Sequence, residues 1–326
     1  MSGTARAFWI VAPGSGEIRD ASLPDVAGDR VLVRTLFSGI SRGTEALVFN
    51  GQVPPSEYER MRAPFQEGGF PGPVKYGYSA VGVVEEGPAA LRGREVFSLY
   101  PHQDRFVVPA ESVVGLPAGV PAGRAVLAAN TETAVNAVWD AGIGPGDRVA
   151  VIGAGVIGSL TAWLAGGIPG TRVTLIDLRS ERAQLAARLG VEFAVPEDAE
   201  GGCDVVVHAS GSASGLATAL GLAGNQARVV ELSWYGTNRP AVPLGEAFHS
   251  RRLSLIASQV GQLPPDRQPR WTHRRRLELA LRLLTDPALD CLVSGTSRFA
   301  TLAEDMPELL AASADVLCHR VAYGTE

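Results

Sequence analysis

The chain has 326 residues, 46% of them hydrophobic, and a formal net charge of −5. That length and apolar content allow a sizeable core, most naturally divided between two domains, and the mild acidity gives no general attraction to nucleic acid or anionic membrane. No apolar run is long enough to span a bilayer and residues 1–19 lack a basic stretch followed by an apolar one, so a cytoplasmic location is expected.

Up to about residue 125 the sequence breaks into short strand-like runs at 7–11, 30–36, 79–85, 95–99 and 105–108, separated by Gly and Pro, which predicts a β-rich domain. The stretch 51–73 carries five prolines and is too long for a simple turn; it reads as a flap or a short helix. Only one of the 29 basic residues is a lysine, Lys75, which stands next to Tyr76, Gly77 and Tyr78. From about Leu127 helices alternate with apolar runs at 149–152, 173–176, 204–208, 228–232 and 253–260, as in a parallel sheet covered on both faces. A helix over 274–284 would place Leu277, Ala280, Leu281 and Leu284 on one face. The arginines at 267, 270, 274, 275 and 276 read as a solvated or interface-facing helix start whose aliphatic stems cover Trp271. Cys203, Cys291 and Cys318 are too scattered for a disulfide framework or a Cys-x-x-Cys metal site and are expected to be packing residues.

The most informative segment is Gly153-Ala154-Gly155-Val156-Ile157-Gly158, between an apolar strand and an apolar helix, with a second strand ending in Asp177 nineteen positions beyond Gly158. This is a dinucleotide-binding pattern. Gly153 permits the tight turn, Gly155 lets a pyrophosphate approach, Gly158 lets helix and sheet pack closely, and the helix start at Val156 and Ile157 offers free amides. Asp177 can accept from both adenosine ribose hydroxyls, which favours NAD(H) over NADP(H). Arg179 and Arg182 suit either a 2'-phosphate or the surface of a new helix. Ser210 and Gly211, and Ser233 and Trp234, follow apolar strands and would border the ligand crevice at their carboxyl ends. His208 reads as a core histidine, and His249, His273 and His319 as structural.

From end to end the chain resembles the medium-chain dehydrogenase/reductase superfamily, relatives of the zinc alcohol dehydrogenases. The resemblance rests on residues 38–45 (Ser-Gly-Ile-Ser-Arg-Gly-Thr-Glu), residues 77–82 (Gly-Tyr-Ser-Ala-Val-Gly) and residues 146–149 ahead of the glycine turn. It implies an α/β chain: a Rossmann-type doubly wound parallel sheet at 127–262, and a β-rich GroES-like catalytic domain from 1–126 and 263–326. It further implies a small-molecule substrate, Thr133 at the nicotinamide end (equally readable as a helix-start hydroxyl), and a homodimer paired through the sheet edge at 253–260. The positions matching the catalytic zinc ligands hold Ser41 or Arg42, Tyr78 and, nearby, Ala129, which argues for no zinc. In this the sequence is similar to a zinc-free branch that includes bacteriochlorophyllide hydroxyethyl dehydrogenases.

Without zinc, side chains must stabilise the alkoxide-like oxygen and move its proton. Tyr78, at a matched ligand position, is either a phenol donor facing the nicotinamide or a buried filler of vacated space. His102 is either a proton relay oriented by Asp104, two positions along the same strand face, or a surface histidine. Glu45 would orient Arg42 or Tyr78. The expected function is zinc-independent hydride transfer between NAD(H) and an alcohol or ketone. The alternatives are a zinc-free enone reductase and a non-catalytic nucleotide-binding protein.

Overall fold

The structure, a computed structural model, describes residues 3–324. They form two compact units: one comprises residues up to Ala129 and from Leu281 onward, the other Asn130–Ala280.

The first unit is β-rich. A four-stranded antiparallel sheet has the order Ser15–Ser22, Thr4–Ala12, Val74–Lys75, Glu67–Gly68. The second sheet runs Val293–Arg298, Cys318–Ala322, Arg30–Ile40, Ala80–Glu86, Glu95–Ser98, Val114–Gly115, and Arg105–Pro109 also pairs with Arg30–Ile40. Val31, Val33, Ala80, Val84, Val96, Phe106 and Val108 pack between these strands. All five strands expected here form. Ser15–Ser22 and Val293–Arg298 carry polar residues at their exposed positions and show too few apolar ones for a period, and Cys318–Ala322, five residues with adjacent Cys318 and His319 both buried, shows no alternation either; none of the three is expected from the sequence. The proline-rich stretch contains a single 3-10 turn, Pro55–Glu57, and the edge strand Glu67–Gly68. It is fastened by an aromatic chain, Tyr58 to Phe70 at 5.8 Å, Phe70 to Tyr76 at 5.8 Å and Tyr76 to Tyr78 at 6.1 Å between ring centres.

The second unit holds a six-stranded, all-parallel sheet in the order Glu192–Ala194, Arg172–Ile176, Arg148–Ile152, Cys203–His208, Ala223–Glu231, Ser254–Ala257. Counted along the chain this is 3-2-1-4-5-6, the doubly wound Rossmann order, whose reversal lies between Arg148–Ile152 and Cys203–His208. Alternate residues of one strand serve opposite faces: Ala150 and Ile152 join one buried cluster, Val149 and Val151 the other. Both faces are covered, which is why these strands read as continuous apolar runs. Glu192–Ala194 is only three residues long and escaped notice. Ser254–Ala257 is the edge strand opposite it. No helix among the described residues is long and apolar enough to cross a membrane.

The second unit extends beyond residue 262, where the sequence placed its end, to Ala280. Trp271 packs on Trp139 at 4.7 Å, with Arg275 4.1 Å above the Trp271 ring and Arg267 5.2 Å from the Trp139 ring. The solvated reading fails for one arginine of that cluster. Arg276, in the helix His273–Leu283, is buried; its guanidinium donates to Glu132 Oε1 (3.0 Å), Asn136 Oδ1 and the Val260 carbonyl. Burial raises the Glu132 carboxyl above its usual range, opposed by Arg276.

Arg276→Ala should therefore leave a buried carboxylate unpaired and cost about 3–5 kcal/mol in urea unfolding at neutral pH. Because the folded-state pKa of Glu132 is raised, the cost should shrink as pH falls into the carboxylate range, where the buried group takes up a proton. Adding Glu132→Gln to the variant should recover much of the loss at neutral pH.

Candidate functional site

Two sets of side chains carry chemistry, one in each unit. In the second unit, strand Arg148–Ile152 ends at Gly153, whose φ of +104° is open to glycine. A β-carbon there would lie 2.8 Å from the Ser210 backbone, so the turn is pressed against the neighbouring strand's loop. Gly155, the N-cap of helix Val156–Gly166, behaves differently: a β-carbon would meet nothing within 4 Å, so the turn faces open space. Gly158 is buried, and its β-carbon would lie 1.9 Å from the Gly153 carbonyl oxygen. No side chain caps this helix, and the first-turn amides at Val156 and Ile157 are those a phosphate would bind.

Asp177 follows strand Arg172–Ile176. Its Oδ2 accepts from the Ala154 amide (2.7 Å) and its Oδ1 from the Arg179 amide (3.0 Å), which ties the carboxylate to the glycine turn. Both oxygens keep acceptor capacity for a ribose diol. Arg179 and Arg182 are half-buried beside it, and Leu178 is 79% exposed. Across the strand reversal, Gly211 N–H donates to Ser233 Oγ (3.0 Å), which joins the two carboxyl-end loops; Trp234 is half-buried in the second. Thr133 is not at a helix start. The helix Ala128–Ala141 begins five residues earlier.

The sequence reading missed a polar chain behind these loops. His208 is fully buried, with Nδ1 2.7 Å from Glu231 Oε2 and Nε2 2.6 Å from Ser210 Oγ. Glu231 also accepts from the Ser233 amide (2.7 Å) and the Tyr235 hydroxyl (3.0 Å). His208 and Glu231 are register partners on adjacent parallel strands, a pairing that no local pattern announces.

In the first unit Tyr78, His102 and Glu45 share one cluster, in which His102 and Glu45 are buried and Tyr78 is half-buried. His102 is 1% exposed; Nδ1 lies 2.7 Å from Ser38 Oγ and Nε2 2.9 Å from Glu45 Oε2. Glu45 Oε1 accepts the Ser41 amide (2.7 Å), and Ser38 Oγ lies 2.9 Å from the Tyr323 hydroxyl. The consistent direction has Nε2–H donating to Glu45, Ser38 donating to Nδ1 and Tyr323 donating to Ser38. Tyr78 bonds Ser41 and Thr44; burial, with Glu45 nearby, raises its phenol far above the usual range, so it stays protonated.

These contacts correct three expectations. His102 is not a surface residue, and it precedes strand Arg105–Pro109 rather than lying within it, so strand alternation does not pair it with Asp104. Asp104 accepts the Arg6 amide instead (2.8 Å). Glu45 holds His102, whereas Arg42 donates to the carbonyls of Ala311 (2.6 Å) and Ala312 (3.1 Å). Ser38, which completes the cluster with Tyr323, lies in the 38–45 segment but has no role assigned there, and Tyr323 has no motif to mark it.

Several known proteins share this architecture. No family model matches the chain. The D-guloside 3-dehydrogenase of Escherichia coli (strain K12) is 28% identical over 207 residues, 58% of this chain and 58% of that protein, so the chain spans less than two thirds of the curated relatives it matches. Among solved structures, a dehydrogenase from Sinorhizobium meliloti 1021 bound to NADP superposes with a TM-score of 0.78 at 20% identity, covering 98% of this chain and 100% of that one. A short chain alcohol dehydrogenase from Escherichia coli CFT073 complexed with NADH gives 0.75 at 16% identity, with 98% and 99% covered. The fold is accordingly a Rossmann-type doubly wound sheet with a β-rich GroES-like unit.

The second unit fits a dinucleotide: an open glycine turn, uncapped helix amides and an acid at the second strand's end. The positions matched to zinc ligands do not fit zinc, because they present Ser41 or Arg42, the Tyr78 phenol and the buried methyl of Ala129. Among the described residues no group of three or more His, Cys, Asp or Glu side chains could hold a metal ion.

The two glycines should separate packing from binding. Gly158→Ala should lower stability by about 1–3 kcal/mol through overpacking against Gly153, read as a lower melting temperature. Gly155→Ala should leave melting nearly unchanged and weaken dinucleotide binding in a fluorescence titration.

Proposed function

We propose that the chain is an oxidoreductase that moves a hydride between NAD(H) and the carbinol or carbonyl carbon of a small alcohol or ketone, without a catalytic zinc. The observation that carries this reading is Asp177 bonded to the glycine turn at the point where the strand order reverses. The bound nicotinamide would accept or donate the hydride. Gly153, Gly155, Val156, Ile157 and Gly158 would hold the pyrophosphate, and Asp177, with the exposed Leu178 beside it, the adenosine. Ser210, Gly211, Ser233, Trp234 and Thr133 are the proposed contacts along the rest of the dinucleotide. Arg179 and Arg182 take the surface role in this reading.

Tyr78 is the proposed donor to the developing oxyanion, since its phenol remains protonated at neutral pH. His102, with Glu45 and Ser38, would return the proton. The zinc-free branch that includes bacteriochlorophyllide hydroxyethyl dehydrogenases is the proposed kinship, on the strength of the residues at the ligand positions. The name of the guloside dehydrogenase favours a polyhydroxylated substrate. A cytoplasmic homodimer is proposed, paired through edge strand Ser254–Ala257, whose Leu255 and Ile256 are half-buried.

A nicotinamide absorbance assay over sugars, simple alcohols, ketones and enones tests the reaction. Turnover confined to enones, or NADH binding with no turnover on any panel, would replace it. Calorimetric titration should show NADH binding about tenfold or more tighter than NADPH, a difference equivalent to about one charged hydrogen bond, and Asp177→Ala should narrow it. Tyr78→Phe should lower turnover about 100-fold with NADH affinity nearly unchanged, and wild-type turnover should persist in a strong chelator.

A further inference from the structure

Among the described residues are two Ser-His-Glu arrangements, and their exposure separates them. Ser38, hydrogen-bonded to His102, is buried and cannot meet a ligand. Ser210, hydrogen-bonded to His208, is exposed on the loop after strand Cys203–His208.

The second arrangement has a definite direction. Gly215 N–H donates to Ser212 Oγ (3.0 Å), which leaves the Ser212 hydroxyl proton for Ser210 Oγ, 2.9 Å away. Ser210 then donates to His208 Nε2 (2.6 Å), and His208 Nδ1–H donates to Glu231, whose oxygens lie at 2.7 and 2.9 Å. Burial pushes the Glu231 carboxyl up, but the bonds from His208 and Ser233 outweigh it and hold the group below its usual range, so the chain ends on a carboxylate. Tyr235 fixes the carboxylate from its other side (3.0 Å).

Two further features set this apart from a helix cap. Ser212 alone caps helix Ala213–Leu222, so the contacts from Ser210 to His208 and from His208 to Glu231 are additional to that task. Gly215 makes room for them: a β-carbon there would lie 2.2 Å from Ser210 Oγ and 2.8 Å from His208 Nε2. The first-turn amides of Ala213 and Ser214, not used by the Ser212 cap, point out of the same helix end.

We infer that Ser210 is a nucleophile for acyl transfer from small carboxylic esters, with His208 as its base and Glu231 as the residue that orients His208. Ser210 Oγ bonds to the ester carbonyl carbon while its proton passes to His208 Nε2. The bond from that carbon to the alcohol oxygen breaks, and the departing oxygen takes the proton from His208. Water, activated by the same nitrogen, then releases the carboxylic acid and restores the serine. The helix amides would receive the oxyanion. The activity needs no dinucleotide, but Ser210 is also a proposed dinucleotide contact, so a bound dinucleotide would compete with the ester.

The test uses the full chain with p-nitrophenyl acetate and, separately, diisopropyl fluorophosphate followed by peptide mass mapping. Stoichiometric phosphorylation of Ser210 is expected, with a burst of nitrophenol. Ser210→Ala should lower ester turnover about 100-fold or more, and Glu231→Gln should lower both turnover and labelling of the intact Ser210 by a similar factor. Labelling of the unmodified chain decides the matter even if a variant fails to fold. No label, a label on another residue, or unchanged turnover in Ser210→Ala would overturn the assignment.

Discussion

The second unit depends on a steric constraint: at the glycine turn there is no room for side chains on the inner side and nothing but space on the outer. Gly158 sits so near the Gly153 carbonyl, and Gly153 so near Ser210, that strand, helix and neighbouring loop meet at backbone distance. That close packing aims the helix amides outward past Gly155 and lets Asp177 reach the Ala154 amide. A doubly wound sheet opens its crevice where strand order reverses, and the tight turn lies there. Close approach and ligand access are thus consequences of one set of missing β-carbons.

The first unit solves a different problem, the burial of polar groups. His102, Glu45 and Ser38 are removed from water, where unpaired donors and acceptors would each be costly, and the half-buried Tyr78 and Tyr323 lie against them. Their bonds satisfy one another: both histidine nitrogens are used, and Glu45 also accepts a backbone amide. Such a network is fixed in direction by its donors, which makes it suited to moving a proton along a defined line.

Lys75 explains an oddity of composition in the same terms. It is buried and bonds Glu67, Gln103 Oε1 (2.8 Å) and the Tyr100 hydroxyl (3.4 Å), with the Tyr100 ring 5.3 Å from its nitrogen. Burial lowers its pKa, and Glu67 works against that. A compact ammonium with three donors suits three partners around one point, which a planar guanidinium cannot match. Arginine fills the other basic positions; Arg275 lies over tryptophan and Arg124 forks around the Asp290 carboxylate.

The sequence by itself determined what is periodic or sterically special. Continuous apolar runs announced the parallel strands, the spaced glycines announced the turn, and the acid in register announced the second strand's end. The grouping of Tyr78, His102 and Glu45 was indicated only by resemblance. Tertiary structure alone decided who bonds whom: Ser38 with His102 and Tyr323, Glu231 with His208, Glu132 with the buried Arg276. It also decided that Cys318–Ala322 becomes a strand, through pairing with Arg30–Ile40, remote in the chain. The physical reason is the same in each case. Periodicity records which side of an element is removed from water, a local property, whereas a hydrogen bond between distant residues is specified by the register of whole strands and leaves no repeat in the sequence.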